Sequence, residues 1–309
     1  MRFRVNALAA FPKRSWAVVG AFLLLAVARA LPELPIARAS WNTIVVFDIT
    51  QSMNVEDYEL DSAPASRLQF AKRAASRALM RLPCGSRVGW AAFAEYRTLL
   101  LLAPVEVCSH YADLLASLDR IDGRMRWGNA SEIAKGLFWA LRAAKEEGSQ
   151  ADVIFLTDGH EAPPLESEDP PVFDDIQPGA IKGWVLGVGG NLPKPIPKTD
   201  DDGRPIGFWR ADDVIQGTRV GPDGVPAETR EHLSSLHELH LRALSREVGI
   251  GYRRLSTLDS LLSAIRDPSL ARHRPVPTDM AWLPASLALA LLVAQFRPAP
   301  PGQRFSSRL

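Results

Sequence analysis

The spacing of apolar residues changes several times along the chain, and each change marks an element. Thr43–Phe47 reads Thr-Ile-Val-Val-Phe, apolar at nearly every position, which predicts a strand buried on both faces. SRLQFAKRAASRALMRL places Leu68, Ala71, Ala75, Leu79 and Leu82 at helical spacing. RVGWAAFA (Arg87–Ala94) and TLLLLAPVE (Thr98–Glu106), joined by EYR, predict an antiparallel hairpin, and YADLLASLDRI predicts a short helix. A longer helix is expected in GNASEIAKGLFWALRAAKEEG, with Ile133, Leu137, Ala140, Leu141 and Ala144 on one face and Gly148 as its stop. ADVIFLTDG and AIKGWVLGVGG read as further buried strands. EHLSSLHELHLRALSREVG reads as a helix, IGYRRLS as a strand and LDSLLSAIR as a last helix. Strands alternating with helices imply an α/β fold with a doubly wound, mainly parallel sheet, the hairpin supplying one antiparallel edge strand.

The pattern lapses over residues 191–230, where Pro, Gly and Asp dominate, and this stretch is expected to be an irregular insertion with small hairpins. Both ends of the chain are apolar. A basic leader (Arg2, Arg4, Lys13, Arg14) precedes an uncharged run from Trp16 to Ala28. A second run, Met280 to Phe296, precedes Arg297, Arg304 and Arg308. A membrane span needs roughly 20 apolar residues. Residues 1–37 therefore read as a cytoplasmic leader with a signal anchor, or as a signal peptide cleaved after Ala28-Arg29-Ala30. Residues 276–309 read as a transmembrane helix with a short basic tail. The positive flanks place the main domain, 38–275, in the periplasm of a bacterial inner-membrane protein.

A net charge of +1, with 23% charged residues, supplies no basic excess for nucleic acid. Two cysteines, Cys84 and Cys108, flank the hairpin. The start of its first strand lies beside the end of its second, so they meet as a disulfide or remain separate buried thiols.

Ligands of open α/β sheets bind beyond the carboxyl ends of the strands. Three segments bring oxygen groups there: Asp48-x-Thr50-x-Ser52 after the first strand, Ser131 in WGNASEI, and Asp158 in IFLTDG. Two carboxylates and three hydroxyls make a hard, oxygen-only site suited to Mg²⁺, Ca²⁺ or Mn²⁺ rather than zinc or copper. With few negative ligands, such an ion keeps positive charge and an open position for an external carboxylate.

This pattern resembles the metal-ion-dependent adhesion site (MIDAS) of von Willebrand factor A (VWA) domains, which runs Asp-x-Ser-x-Ser, then Thr, then Asp in Thr-Asp-Gly. Here the residues are Asp48, Thr50, Ser52, then Ser131, then Thr157-Asp158-Gly159, with Thr and Ser exchanged at positions 50 and 131. The resemblance covers about residues 42–190 and resumes over 237–270. It implies a VWA/Rossmann-like fold. It also implies metal bound directly by Thr50, Ser52 and Ser131, with Asp48 and Asp158 acting through water. SMNVEDY followed by RLQFAKRA, with apolar segments at both ends, is similar to bacterial membrane-anchored members that accompany MoxR-type AAA+ ATPases. RWGNASEIAKGL, GRPIGFWRADDV and EHLSSLHELHL look like the MxaL-type accessory proteins of methanol oxidation. That likeness implies a part in maturing periplasmic methanol dehydrogenase, whose quinone site contains calcium, by assisting metal insertion or assembly.

Other readings of the same residues stay open at this level. Asp, Ser and Thr after strands also cap helices, and Ser131 stands where an N-cap would, so a site that never holds metal is one alternative. A metal-dependent hydrolase is another, although no activated nucleophile with a base at readable spacing is present. His232, His237 and His240 are expected on one helix, but His-Glu-Leu-His is one residue short of the zinc signature. KTDDDG fails the EF-hand template and reads as a solvated turn. His160 and Glu161 are expected at the rim of the site.

Overall fold

The uniformly apolar run becomes strand β1, Asn42–Asp48, in the middle of a six-stranded sheet. The other strands are β2 (Arg87–Ala94), β3 (Arg97–Glu106), β4 (Asp152–Thr157), β5 (Gly183–Gly187) and β6 (Gly251–Arg254). They lie in the order β6-β5-β4-β1-β2-β3. All neighbours are parallel except β2 and β3, so the hairpin does supply the antiparallel edge. The computed structural model describes residues 13–164, 176–220, 226–228 and 230–296.

Side chains alternate across the sheet as a pleat requires. Val45, Phe47, Trp90, Ile154 and Leu156 enter one core, covered by helices α1 (Arg67–Leu79), α2 (Tyr111–Arg120) and α5 (Leu258–Ile265). Ile44, Val46, Phe93, Val153 and Phe155 enter the other, covered by α3 (Ile133–Glu147) and α4 (Glu238–Glu247). Because both faces are covered, the central strands carry no polar alternation. On the α3 side, a Cβ on Gly136 would stand 2.1 Å from the Phe93 ring, so glycine is what lets that helix lie close to β2. Helix α3 ends at Gly148 in the left-handed region, φ 75°, as its stop position implied.

The order of strands decides where chemistry can gather. β1 pairs with β4 in parallel, Phe47 opposite Leu156, so their carboxyl ends emerge side by side. Asp48 and Asp158 leave the sheet from neighbouring tips.

Three local features depart from the sequence reading. The helix expected across residues 231–249 is confined to Glu238–Glu247. Ahead of it, Leu233–Ser234 pairs with Lys194–Pro195, Leu236 N–H donates to Gly190 O (2.8 Å) and His237 N–H donates to Asp158 O (2.8 Å). Those donors take tertiary partners, so the helix cannot start earlier, and His232 lies outside it. A hairpin of Glu56–Leu60 with Ala63–Ser66 was not anticipated; Asp61 and Ser62 form its two-residue turn with φ of 50° and 65°. After Thr50 the chain does not stay extended but curls into a 3-10 turn at Gln51–Asn54, over buried Ile49, Met53 and Val55.

The insertion consists of short ribbons, Pro197–Thr199 with Pro205–Phe208 and Thr218–Val220 with Pro226–Glu228. KTDDDG forms the turn between the first two, closed by Gly203 N–H to Asp200 O at 3.0 Å.

Residues 38–274 form one unit; residues up to 37 and from 275 form another. In the latter, helices Lys13–Ala30 and Trp282–Phe296 pack through small residues, with Ala21 and Ala288 buried. Phe22, Leu23, Leu287 and Leu289 remain exposed. Among the described residues no helix is long and apolar enough to cross a membrane, which departs from the spans expected at both ends. The first helix includes Lys13, Arg14 and Arg29 within its 18 residues. The second is described over Trp282–Phe296.

Cys84 and Cys108 are joined, with Cα atoms 5.3 Å apart, across the open end of the β2–β3 hairpin. Closing a loop of 24 residues stabilises a fold by about 3 kcal/mol in the chain-entropy account. The double variant Cys84→Ser/Cys108→Ser is expected to lose about that much in urea unfolding. Reductant should shift the wild type toward the variant and leave the variant unchanged.

Candidate metal centre

Asp48, at the tip of β1, is wholly buried and every contact it makes is to a hydroxyl or an amide. Its Oδ1 accepts from the Thr50 amide (2.9 Å) and the Thr50 hydroxyl (2.6 Å); its Oδ2 accepts from the Thr157 hydroxyl (2.7 Å). Thr50 Oγ1 lies 3.2 Å from Ser52 Oγ. The curl after Thr50 is what turns Ser52 back beside it. Thr157 in turn accepts from Gly159 N–H at 3.0 Å, and Gly159 holds φ 77°, where a Cβ would stand 2.8 Å from Leu241 Cγ. The Thr-Asp-Gly triplet is therefore a hydroxyl bridge, a carboxylate and a left-handed turn.

Ser131 is not an N-cap. Helix α3 starts at Ile133, and Ile133 N–H donates to the carboxylate of Glu161 at 3.0 Å, which takes over that task. The Ser131 backbone is clamped instead, its N–H on Ala162 O (2.7 Å) and its carbonyl accepting from Ala162 N–H (2.8 Å). Its hydroxyl is buried and has no hydrogen-bond partner. With Thr50 and Ser52, Ser131 lines one pocket of about 230 Å³. Asp48 and Asp158 do not line it and lie fully buried. All five residues expected at the site are thus brought to one end of the sheet, with hydroxyls at the pocket surface and carboxylates enclosed.

Electrostatics fits the donor set to a hard cation. Burial and the neighbouring charge of Asp158 push the Asp48 carboxyl up to about 7, against the smaller opposing effect of its hydroxyl donors. Burial also acts to raise Asp158, but the Arg67 guanidinium beside it outweighs that and holds it below the usual carboxylate range. An orphaned hydroxyl and a carboxylate held near neutrality are both relieved by a divalent ion, for which Thr50, Ser52 and Ser131 offer oxygens. A different trio, Cys84, Glu106 and Cys108, has ligand atoms within 4.8 Å of one another. Its sulfurs are bonded to each other, and Glu106 accepts from Gly85 N–H (2.7 Å) and Ser109 N–H (2.6 Å), so its role is structural.

Residues 43–160 match the sequence profile of the von Willebrand factor type A domain, and all five residues fall inside that span. Residues 43–160 form a region similar to the von Willebrand factor type A domain. Among solved structures it is similar to an aerotolerance-related membrane protein from Bacteroides fragilis, determined with multiple mutations to serines. The two are 23% identical, with a TM-score of 0.48, covering 72% of this chain and 95% of that one. The conserved hypothetical protein BatB from Bacteroides thetaiotaomicron is also 23% identical, with a TM-score of 0.46 over 72% of this chain and 94% of its own. An uncharacterized membrane-spanning protein from Vibrio fischeri is 20% identical, with a TM-score of 0.29 over 71% and 93%. No curated protein matches the sequence.

The residue that sequence reasoning missed in this type A domain is Arg67. It is fully buried at the first position of α1. Its guanidinium donates to Asp158 Oδ2, to Asp57 Oδ2 (2.8 and 3.0 Å), to the Ser234 hydroxyl (2.6 Å) and to Ser52 O (3.3 Å). Burial alone would lower its pKa, but the two carboxylates together hold it above its ordinary value. A signal existed: a helix N-terminus disfavours a cation, so an arginine there calls for a specific anion. His160 was expected at the rim and does line the pocket, though only 3% exposed, whereas Glu161, 7% exposed, does not line it. Glu161 caps α3 and pairs with His240 Nε2 at 2.9 Å.

Replacing Arg67 by methionine would leave two buried carboxylates without their cation. We expect a loss of about 3–5 kcal/mol in denaturant unfolding. Combining it with Asp57→Asn should restore part of that loss, since one stranded charge is then removed; additive losses would contradict the network.

Proposed function

We propose that the type A domain is a non-enzymatic, metal-dependent protein-binding module. A divalent cation, Mg²⁺ foremost with Ca²⁺ or Mn²⁺ as alternatives, would sit on Thr50, Ser52 and Ser131, backed by Asp48 and Asp158 through water. Its chemistry there is to bridge: three neutral hydroxyls leave it charge and an open position, which an acidic side chain of a client protein fills. The observation that carries this reading is the buried, unpartnered Ser131 hydroxyl, lining the same pocket as Thr50 and Ser52.

The narrower reading places the chain at the bacterial inner membrane with its main domain in the periplasm. Its support is the basic flanks, the exposed leucines of the terminal helices and the disulfide. The client would be methanol dehydrogenase, during assembly or calcium insertion, with a MoxR-type AAA+ ATPase and other membrane VWA proteins as co-workers. Its support is the resemblance of RWGNASEIAKGL, GRPIGFWRADDV and EHLSSLHELHL to the MxaL-type proteins. A general role with such an ATPase in maturing another periplasmic enzyme is the coarser form of the same reading.

Titration calorimetry of the full chain with Mg²⁺ and Ca²⁺ tests the metal. Wild type should bind one ion, Ser131→Ala should bind it about tenfold or more weakly, and Asp48→Ala should give no measurable binding. An absent response in the folded wild type would sink the proposal. Loss of the gene should leave the dehydrogenase deficient in calcium; fully metallated enzyme would remove the narrower client.

A further inference from the structure

We infer that the insertion makes the metal centre a two-part receptor, which takes one carboxylate together with a neighbouring hydrophobic side chain of the same client segment. This rests on the metal-bridging function proposed above and specifies its partner.

The pocket over the site has a hydroxyl floor and an apolar wall. The floor is Thr50, Ser52 and Ser131; the wall is Ile196, Trp209, Val214 and Ile215, all from the insertion. One side chain fastens wall to floor. Gln51, between Thr50 and Ser52 and 7% exposed, accepts at Oε1 from Thr199 N–H (3.0 Å) and from Trp209 Nε1–H (3.0 Å). Its Nε2 donates to Asn129 Oδ1 at 3.0 Å, two residues before Ser131. The Trp209 ring is held further by Lys198 Nζ 4.3 Å above it, and its amide by Ile196 O at 3.0 Å. An indole fixed on several sides beside a polar floor is a preformed surface, and preformed surfaces bind with less ordering cost. Ile215 lines the same pocket while 70% exposed, so the wall has apolar area left to cover.

Charge narrows the occupant. Asp213, paired with Lys198 Nζ at 3.5 Å, and Glu231 also line the pocket. A cation on the floor attracts one carboxylate, while these two acids oppose a second. The segment that fits is a single Asp or Glu beside an aliphatic or aromatic residue, not an acidic run.

The test uses the full chain and three capped peptides: acetyl-Gly-Asp-Gly-amide, acetyl-Leu-Asp-Leu-amide and acetyl-Glu-Asp-Glu-amide. Each is titrated in saturating Mg²⁺ and again in chelator. In Mg²⁺ the leucine peptide should bind about tenfold tighter than the glycine peptide, and the glutamate peptide more weakly than either. Trp209→Ala should remove most of the leucine preference and leave Mg²⁺ affinity without peptide unchanged. Equal Mg²⁺-dependent affinity for the glycine and leucine peptides overturns the two-part receptor and leaves the metal-bridging function standing. Absence of any Mg²⁺-dependent binding overturns that function, and this inference with it.

Discussion

A buried guanidinium holds the functional end of this domain together. Arg67 lies between Asp57 and Asp158, against the Ser52 carbonyl and the Ser234 hydroxyl, with no solvent contact. These groups come from four separate places: the 3-10 turn after β1, the unanticipated hairpin, the tip of β4 and the strand ahead of α4. Two carboxylates at adjacent strand tips would repel each other inside an apolar sheet end, where the charged forms are poorly solvated. Arg67 resolves this for Asp158 only. Asp48 is left with hydroxyl and amide donors and a carboxyl held near neutrality.

That asymmetry gives the two carboxylates different tasks. Asp158 is already neutralised by an internal cation and contributes geometry more than charge, fixing the His160 amide at 3.0 Å and the Ser234 hydroxyl at 2.9 Å. Asp48 is the carboxylate still open to an external cation. An ion placed above it on three hydroxyls faces one unshared negative group from the protein, so part of its charge remains for a partner. Had Arg67 been absent, both carboxylates would act on the ion and its pull on an outside ligand would be weaker. In the proposed metal-bridging function Arg67, which does not line the pocket, would set how much positive charge a bound ion presents.

Much of this was legible in the sequence because the sheet is buried on both faces. Uninterrupted apolar runs such as Ile44–Phe47 and Val153–Leu156 name the strands, and oxygen-bearing residues at their carboxyl ends name the site. The hairpin edge and the stop at Gly148 followed from equally local signals. What local pattern could not supply was the destination of polar groups that find partners far along the chain. Arg67 meets Asp158 at a separation of 91 residues and Ser234 at 167. The late start of α4 has the same origin, since Leu236 and His237 give their amides to Gly190 and Asp158. At the terminal runs composition alone set the expectation, and Lys13, Arg14 and Arg29 fall inside the first described helix.

Ser131 shows how one contact separates two readings that sequence leaves level. A serine at the entrance of a helical run reads as an ordinary cap, its hydroxyl then occupied by a backbone amide. Here Glu161 reaches that amide from the next loop, and the serine backbone is held on both sides by Ala162. The hydroxyl is thereby excluded from capping and, among the described residues, has no partner, a condition that costs free energy unless water or a ligand completes it. The same loop provides Asn129, which Gln51 ties to the insertion through Thr199 and Trp209. Floor and wall of the pocket are consequently not independent. A change that reorients Gln51 alters both the apolar surface a client would touch and the loop that presents Ser131, so the insertion and that loop are physically coupled through one amide side chain.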